Sequence, residues 1–344
     1  MFKHVIVPLD GSRGSTQAVP VAARLAKCMA AGMVLVRVLP PPGADEAALE
    51  PNLARPSKLA QTSARAWLER LAAQLRPTGI PVRVELEQGR AAELILATIR
   101  QYDDAIVVMR SRNRSGRLRL GLGSVASEVV RAALAPVLVL PFGRRALPPP
   151  SPYEPLPQGP LRILVPLDGS PLAEDALGPA CELLSALALP GKGEILLLRV
   201  VSPFASDSRE AGAAANTYLQ EEVSRLHVQC AAAARQTVKS AVVFESEVPL
   251  ALIQVGLHGV DGQGPGFDLV VMTTHGEGGL ERAVLGGVTE QVLYQTHLPV
   301  VVVHPRREEH DLLPTRGRTQ DVVLLSSIES FPASDAPGWQ PLSI

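Results

Sequence analysis

The hexapeptide VPLDGS occurs twice, at Val7–Ser12 and at Val165–Ser170, an offset of 165 − 7 = 158 residues. Each copy sets an aspartate and a glycine where an apolar strand gives way to a helix. In an open parallel sheet that corner is where ligands bind, outside the carboxyl ends of the strands. A carboxylate there, Asp10 or Asp168, can accept hydrogen bonds from a ribose hydroxyl or a base amine. In the second half a further segment, MTTHGEGGLERAVLGGVTEQVL (Met272–Leu293), supplies complementary chemistry. A buried strand ends at Met272, a glycine-bearing loop follows, and Gly286–Gly287 precede a helix starting near Val288. Glycines let the backbone approach a ligand closely. A helix start offers free N–H groups and the positive end of a dipole. Together these features predict a phosphate cradle opposite Asp168.

The first half carries a matching segment, MRSRNRSGRLRLGLGSVASEVV (Met109–Val130). Gly123–Ser124 again precede a helix, with Ser124 as the expected N-cap. The loop before it is basic, with Arg110, Arg112, Arg114, Arg117 and Arg119. Arg110 and Asn113 stand where the second half has Thr273 and Gly276. Such a series is first of all a solvated loop face, with phosphate contact by one arginine as the functional reading. No aromatic residue interleaves with it, aromatics are 3% of the chain, and the net charge is −1. A nucleic-acid partner is therefore not expected.

Several chemistries are missing. There is no GxxxxGK[ST] loop, and Ser12 and Ser170 follow Asp-Gly rather than standing in a GxSxG elbow. No carboxylate pair or metal-ligand spacing stands out, and His275 is a lone loop histidine. The three cysteines, Cys28, Cys181 and Cys230, are far apart. They are read as small buried hydrophobes in a reducing cytoplasm. The first apolar run meets Asp10 too early for a signal peptide, and no run reaches the ~18 residues a membrane span needs. A soluble cytoplasmic protein is expected.

The elements that must position these residues alternate between strand and helix. In the first half strands are predicted at His4–Leu9, Met33–Leu39, Val82–Glu87, Ala105–Met109 and Val137–Leu140. Helices are predicted with Ala18, Ala22, Leu25 and Met29 in line, over Lys58–Leu75 with Trp67, Leu71 and Leu75 on one face, and over Ala91–Arg100 and Ser124–Ala133. The second half repeats the order. Strands are predicted at Ile163–Leu167, Glu194–Val201, Ala241–Glu245, Phe267–Met272 and Val300–Val303, and helices at Ala173–Leu187 and Thr217–Val238, then from near Val288. This alternation predicts parallel sheets with right-handed crossovers, an α/β doubly wound domain occurring twice. Ala146–Pro160, with seven prolines, reads as a semi-rigid linker. Residues 306–344 read as a mostly disordered tail.

The segments VPLDGS, TTHGEGGLERAVLGG and SRNRSGRLRLGLGSVASEVV, with the strands LAPVLVLP and HLPVVVVHP behind them, resemble the universal stress protein family. The resemblance spans about residues 1–142 and 161–305, in the layout of two-domain members. It implies Rossmann-like, adenine nucleotide alpha hydrolase-like domains at 1–145 and 161–305. The family's nucleotide pattern is Gly, two residues, Gly, nine residues, Gly, then Ser or Thr. It falls on Thr273, Gly276, Gly286 and Gly287 in the second half and on Arg110, Asn113, Gly123 and Ser124 in the first. The resemblance further implies nucleoside contact at Asp168 or Asp10, and adenine contact by backbone near Val200 or Val38. The implied ligand is ATP or a related adenine nucleotide, with or without Mg²⁺, chiefly in the second half. The implied role is stress-response regulation through conformation or assembly rather than catalysis, slow ATP hydrolysis being the weakest rival. Pairing of Val137–Leu140 with Val300–Val303 would make an internal pseudo-dimer, and a homodimer is a further possibility. The alternative is a protein-interaction module whose nucleotide sites are degenerate.

Overall fold

The computed structural model describes residues 1–41, 58–110, 122–141, 160–188, 192–204, 207–234, 236–262, 264–274 and 285–305. Among the predicted features, Gly276, Asn113, His275, the basic loop from Arg112 to Arg119, nearly all of the linker and the tail lie outside them.

The first half runs β1 (His4–Pro8), α1 (Arg13–Thr16), α2 (Ala18–Met29), β2 (Gly32–Leu39), α3 (Lys58–Leu75), β3 (Val82–Gln88), α4 (Ala91–Ile99), β4 (Ala105–Arg110), α5 (Ser124–Ala132) and β5 (Val137–Leu140). The second runs β6 (Leu161–Pro166), α6 (Pro171–Glu174), α7 (Leu177–Leu187), β7 (Gly193–Val201), α8 (Ser208–Ala234), β8 (Thr237–Phe244), α9 (Val248–His258), β9 (Leu269–Thr273), α10 (Gly287–Gln295) and β10 (Val300–Val303).

The ten strands form one sheet in the order β3-β2-β1-β4-β5-β10-β9-β6-β7-β8. Within each half the neighbours are parallel, as βαβ crossovers require. At the middle β5 and β10 pair antiparallel, with Leu138 opposite Val301, so the cross-half pairing implied by the resemblance is present. Apolar runs without polar alternation, such as HVIVP and VVVV, fit strands covered on both faces. One core packs β-sheet residues such as Val7, Leu35, Leu138 and Val301 against α2, α3, α7 and α8. The other packs Ile6, Val139, Val270 and Val302 against α4, α5, α9 and α10. Both cores continue across the β5–β10 seam.

The structure departs from the expected elements in four places. The helix predicted at Ala173–Leu187 is two helices, and the first half breaks in the same way between α1 and α2. Pro20 and Pro179 explain both breaks, because neither has an N–H to donate to the carbonyl four residues earlier, at Thr16 or Asp175. α8 starts at Ser208, its alanine-rich first turns having high helix propensity, and ends at Ala234, so that β8 begins at Thr237 rather than Ala241. α9 falls where no element was expected. Its buried face is Ala251, Leu252 and Val255. On α3 the buried stripe is Ala64, Leu68, Ala72 and Leu75, with Trp67 and Leu71 half-buried beside it.

The cysteines also depart from three buried thiols. Cys28 is exposed and free. Cys181, half-buried on α7, is disulfide-bonded.

Candidate functional site

The two Asp-Gly-Ser turns are built alike. After β1, Leu9 N–H donates to the Val36 carbonyl at 2.7 Å, and after β6, Leu167 N–H donates to Leu198 at 2.8 Å. The chain then reverses through Gly11 and Gly169, both at φ +85°. Asp10 Oδ1 accepts Ser12 N–H at 2.8 Å, and Asp168 Oδ1 accepts Ser170 N–H at 2.9 Å. Each serine then caps the short helix that follows. The aspartates therefore have a structural task, fixing the turn through one oxygen. They differ in setting. Asp10 is exposed, whereas Asp168 is half-buried and also accepts the Ser170 hydroxyl at 2.6 Å.

Across the switch point stand the ends of β4 and β9. β1 lies between β2 and β4, and β6 between β7 and β9. Val200, Asp168 and Thr273 thus come to the carboxyl edge of three consecutive strands, as do Val38, Asp10 and Arg110 in the first half. Val38 and Val200 both turn toward the second core. Thr273 is buried, and its carbonyl accepts the Thr289 hydroxyl of α10 at 2.8 Å. Thr274 donates to Val303 at 2.9 Å and accepts Gly286 N–H at 2.8 Å. The loop that carries Gly276 therefore leaves and returns at one hydrogen-bonded point. Gly286 is the cap of α10 and makes no side-chain bond to the helix. A Cβ on Gly287 would meet nothing within 4 Å. Packing among the described residues does not demand this glycine.

The first half differs in kind. Gly123, not Ser124, occupies the cap position of α5, and Ser124 is its exposed first residue. A serine one place inside the helix start exposes its hydroxyl beside the free N–H groups instead of capping them. Arg110 ends β4 half-buried, and burial holds its guanidinium below the usual arginine pKa.

The profile of the universal stress protein family matches residues 1–141 and again residues 161–304. The chain belongs to the universal stress protein family. Its two universal stress protein repeats, joined through β5 and β10, form an internal pseudo-dimer. A universal stress protein of Methanocaldococcus jannaschii is 26% identical over 140 residues, which are 41% of this chain and 82% of that protein. One from Mycobacterium tuberculosis is 29% identical over 213 residues, 57% of this chain and 61% of that protein. The crystal structure of a universal stress protein from Archaeoglobus fulgidus superposes with a TM-score of 0.61 at 16% identity, covering 88% of this chain and 96% of that one. A Pseudomonas aeruginosa homologue gives 0.56 at 15% identity, with 88% and 94% covered. These likenesses establish the fold.

Each universal stress protein repeat contains a feature that sequence reasoning missed. The residue after the one paired with Pro8 is Arg37, and after the one paired with Pro166 it is Arg199. Arg37 lies over the Trp67 ring at 5.0 Å and Arg199 over the Tyr218 ring at 5.8 Å. Both guanidiniums occupy the space beside the turn glycine. A Cβ on Gly11 would stand 2.9 Å from Arg37 Cζ, and one on Gly169 would stand 3.0 Å from Arg199 Cζ. An arginine on an aromatic shelf thus ties α3 or α8 to the turn that holds the aspartate. The signal was present as a cation interrupting an apolar strand, LVRVL and LLRVV, at the same register in both repeats.

In the second repeat this shelf joins a charged cluster. Tyr218 Oη donates to Glu174 Oε1 at 3.2 Å, and Arg225 bridges Glu174 at 3.1 Å and Glu222 at 3.0 Å. Glu222 is 2% exposed, and its Oε2 has no partner among the described residues. Burial, and then the Glu174 charge, push its carboxyl above the usual range, against the pull of Arg225. The folded state therefore holds this proton more tightly than the unfolded chain. Its contribution to stability is present at low pH and is lost as pH rises from the carboxylate range through the raised value. Glu222→Gln is accordingly expected to gain stability on the unmodified protein as pH rises above about 4.5, read as diverging urea midpoints. Parallel midpoints across that range would refute it.

Proposed function

We propose that this universal stress protein binds ATP or a related adenine nucleotide, chiefly in its second repeat, and signals through conformation or assembly rather than catalysis. The observation that carries the reading is the placement of Asp168 and the Gly286–Gly287 helix start at the carboxyl ends of the adjacent strands β6 and β9. In this proposal Asp168 holds the ribose, backbone near Val200 meets the adenine, and Thr273, Gly276, Gly286 and Gly287 line the phosphate lane. Among the described residues no three His, Cys, Asp or Glu side chains are grouped to hold a metal, so Mg²⁺ would arrive on the nucleotide's phosphates.

The first-repeat residues Asp10, Val38, Asn113, Gly123 and Ser124 form the weaker site. There β4 ends in Arg110 where β9 ends in Thr273. That observation favours the protein-interaction reading for the first repeat. The proposal divides the chain into domains at 1–145 and 161–305, a proline-rich linker at 146–160 and a tail at 306–344. It places the protein in the cytoplasm and allows a further homodimer. No described helix is long and apolar enough to cross a membrane.

Calorimetric titration with ATP tests the reading. The intact protein is expected to bind, and Gly276→Arg, which fills the phosphate lane, is expected not to. Undetectable binding by the intact protein at millimolar ATP overturns it.

A further inference from the structure

The two repeats are not joined symmetrically. α5 and α10 start 287 − 124 = 163 residues apart, and β5 and β10 start 300 − 137 = 163 residues apart. By that offset Arg131 corresponds to Tyr294, Glu290 to Ser127 and His304 to Pro141. None of these three is duplicated, yet they make a polar contact across the seam. Arg131 Nη2 donates to Glu290 Oε1 at 3.1 Å, and His304 Nε2 lies 3.0 Å from the Arg131 carbonyl oxygen.

The position of Glu290 gives the contact its meaning. It lies in the first turn of α10, at the helix start proposed to cradle phosphate. A carboxylate there favours the helix dipole but repels an anion arriving at the same end. Arg131 sits in the last turn of α5, where a cation is favoured by its own helix, and it reaches over the seam to pair that carboxylate. We infer that the first repeat serves the second: Arg131 is a positioning residue that neutralises Glu290 and so sets the phosphate affinity of the second-repeat site. The arrangement runs one way, because Tyr294 and Ser127 offer the first site no such pair. It gives the repeat whose β4 ends in Arg110 a task in the site of the other. The inference rests on the nucleotide reading of the second repeat.

The test is ATP titration of the full-length protein and four variants at low and at molar salt. At low salt Arg131→Ala is expected to weaken ATP binding about two- to fivefold, the scale of a charge at a helix end. The loss is expected to vanish at molar salt, where exposed charges are screened. Arg131→Lys retains the affinity, Glu290→Gln binds at least as tightly as the unmodified protein, and Arg131→Ala/Glu290→Gln matches Glu290→Gln. An Arg131→Ala loss that is absent, that persists at molar salt, or that survives in the double variant overturns the inference while leaving the nucleotide reading intact. No ATP binding by the unmodified protein overturns both.

Discussion

Replacing Val301 by aspartate is expected to abolish cooperative folding. Val301 is 0% exposed, pairs with Leu138 across the seam, and belongs to a core that both repeats share. An aspartate there loses the transfer energy of the valine side chain and buries a polar group with no partner. Together these cost on the order of 5 kcal/mol. Total stability for a protein domain is only about 5–15 kcal/mol, so one such change reaches the lower bound by itself. The expected readout is loss of the sigmoidal thermal transition by circular dichroism, with aggregation on a sizing column. Val301→Ile, which stays apolar but adds one methylene to a closed core, should cost about 1–3 kcal/mol, less than the aspartate. An aspartate variant that melts cooperatively within a few degrees of the unmodified protein would show that the seam is peripheral to stability.

The second large effect is a contrast between two glycines in the same conformation. Gly169→Val and Gly11→Val each put a β-branched residue at φ +85° and push against a stacked arginine. Each should cost about 1–3 kcal/mol of stability. Their effects on ligand binding should differ. Gly169 adjoins Asp168 in the repeat proposed to bind nucleotide, so Gly169→Val is expected to weaken ATP binding at least about tenfold, the equivalent of ~1.4 kcal/mol. Gly11 adjoins Asp10, opposite Arg110, and Gly11→Val is expected to leave ATP affinity within about twofold, well under 1 kcal/mol. Calorimetric titration of both variants, with melting curves to match their stability losses, makes the comparison. Equal losses of affinity would mean that the two repeats contribute equally, or that ATP binding follows global stability alone.

The sequence carried most of this architecture because strands buried on both faces announce themselves. Val137–Leu140 and Val300–Val303 are unbroken apolar runs, and their ends fell where the structure has them. Helix boundaries were harder wherever a proline acted at a distance. Pro20 and Pro179 lie inside helical patterns, yet their missing N–H groups end the helix four residues upstream. α9 escaped notice because its sequence, VPLALIQVGLH, is apolar nearly all round and offers no clear periodic stripe. In the candidate site, the aspartate turns and the glycines at the start of α10 were legible as local structure from residue type. Arg37 and Arg199 were not, because their meaning lies in pairing register and in aromatics some 20–30 residues away in sequence. The Arg131–Glu290 pair joins residues 159 positions apart, and no local pattern reports it.

The seam has one more consequence, in time rather than in space. β10 leaves the ribosome 300 − 137 = 163 residues after β5. At about 5–20 residues per second, that interval is roughly 8–30 s. For that long Val137–Leu140 has no β10 to pair with, and its row of backbone donors and acceptors stays uncovered. A neighbouring nascent chain on the same message carries the same edge and, soon after, a β10 of its own. Exchange of that strand between two chains would satisfy the same hydrogen bonds as closure within one.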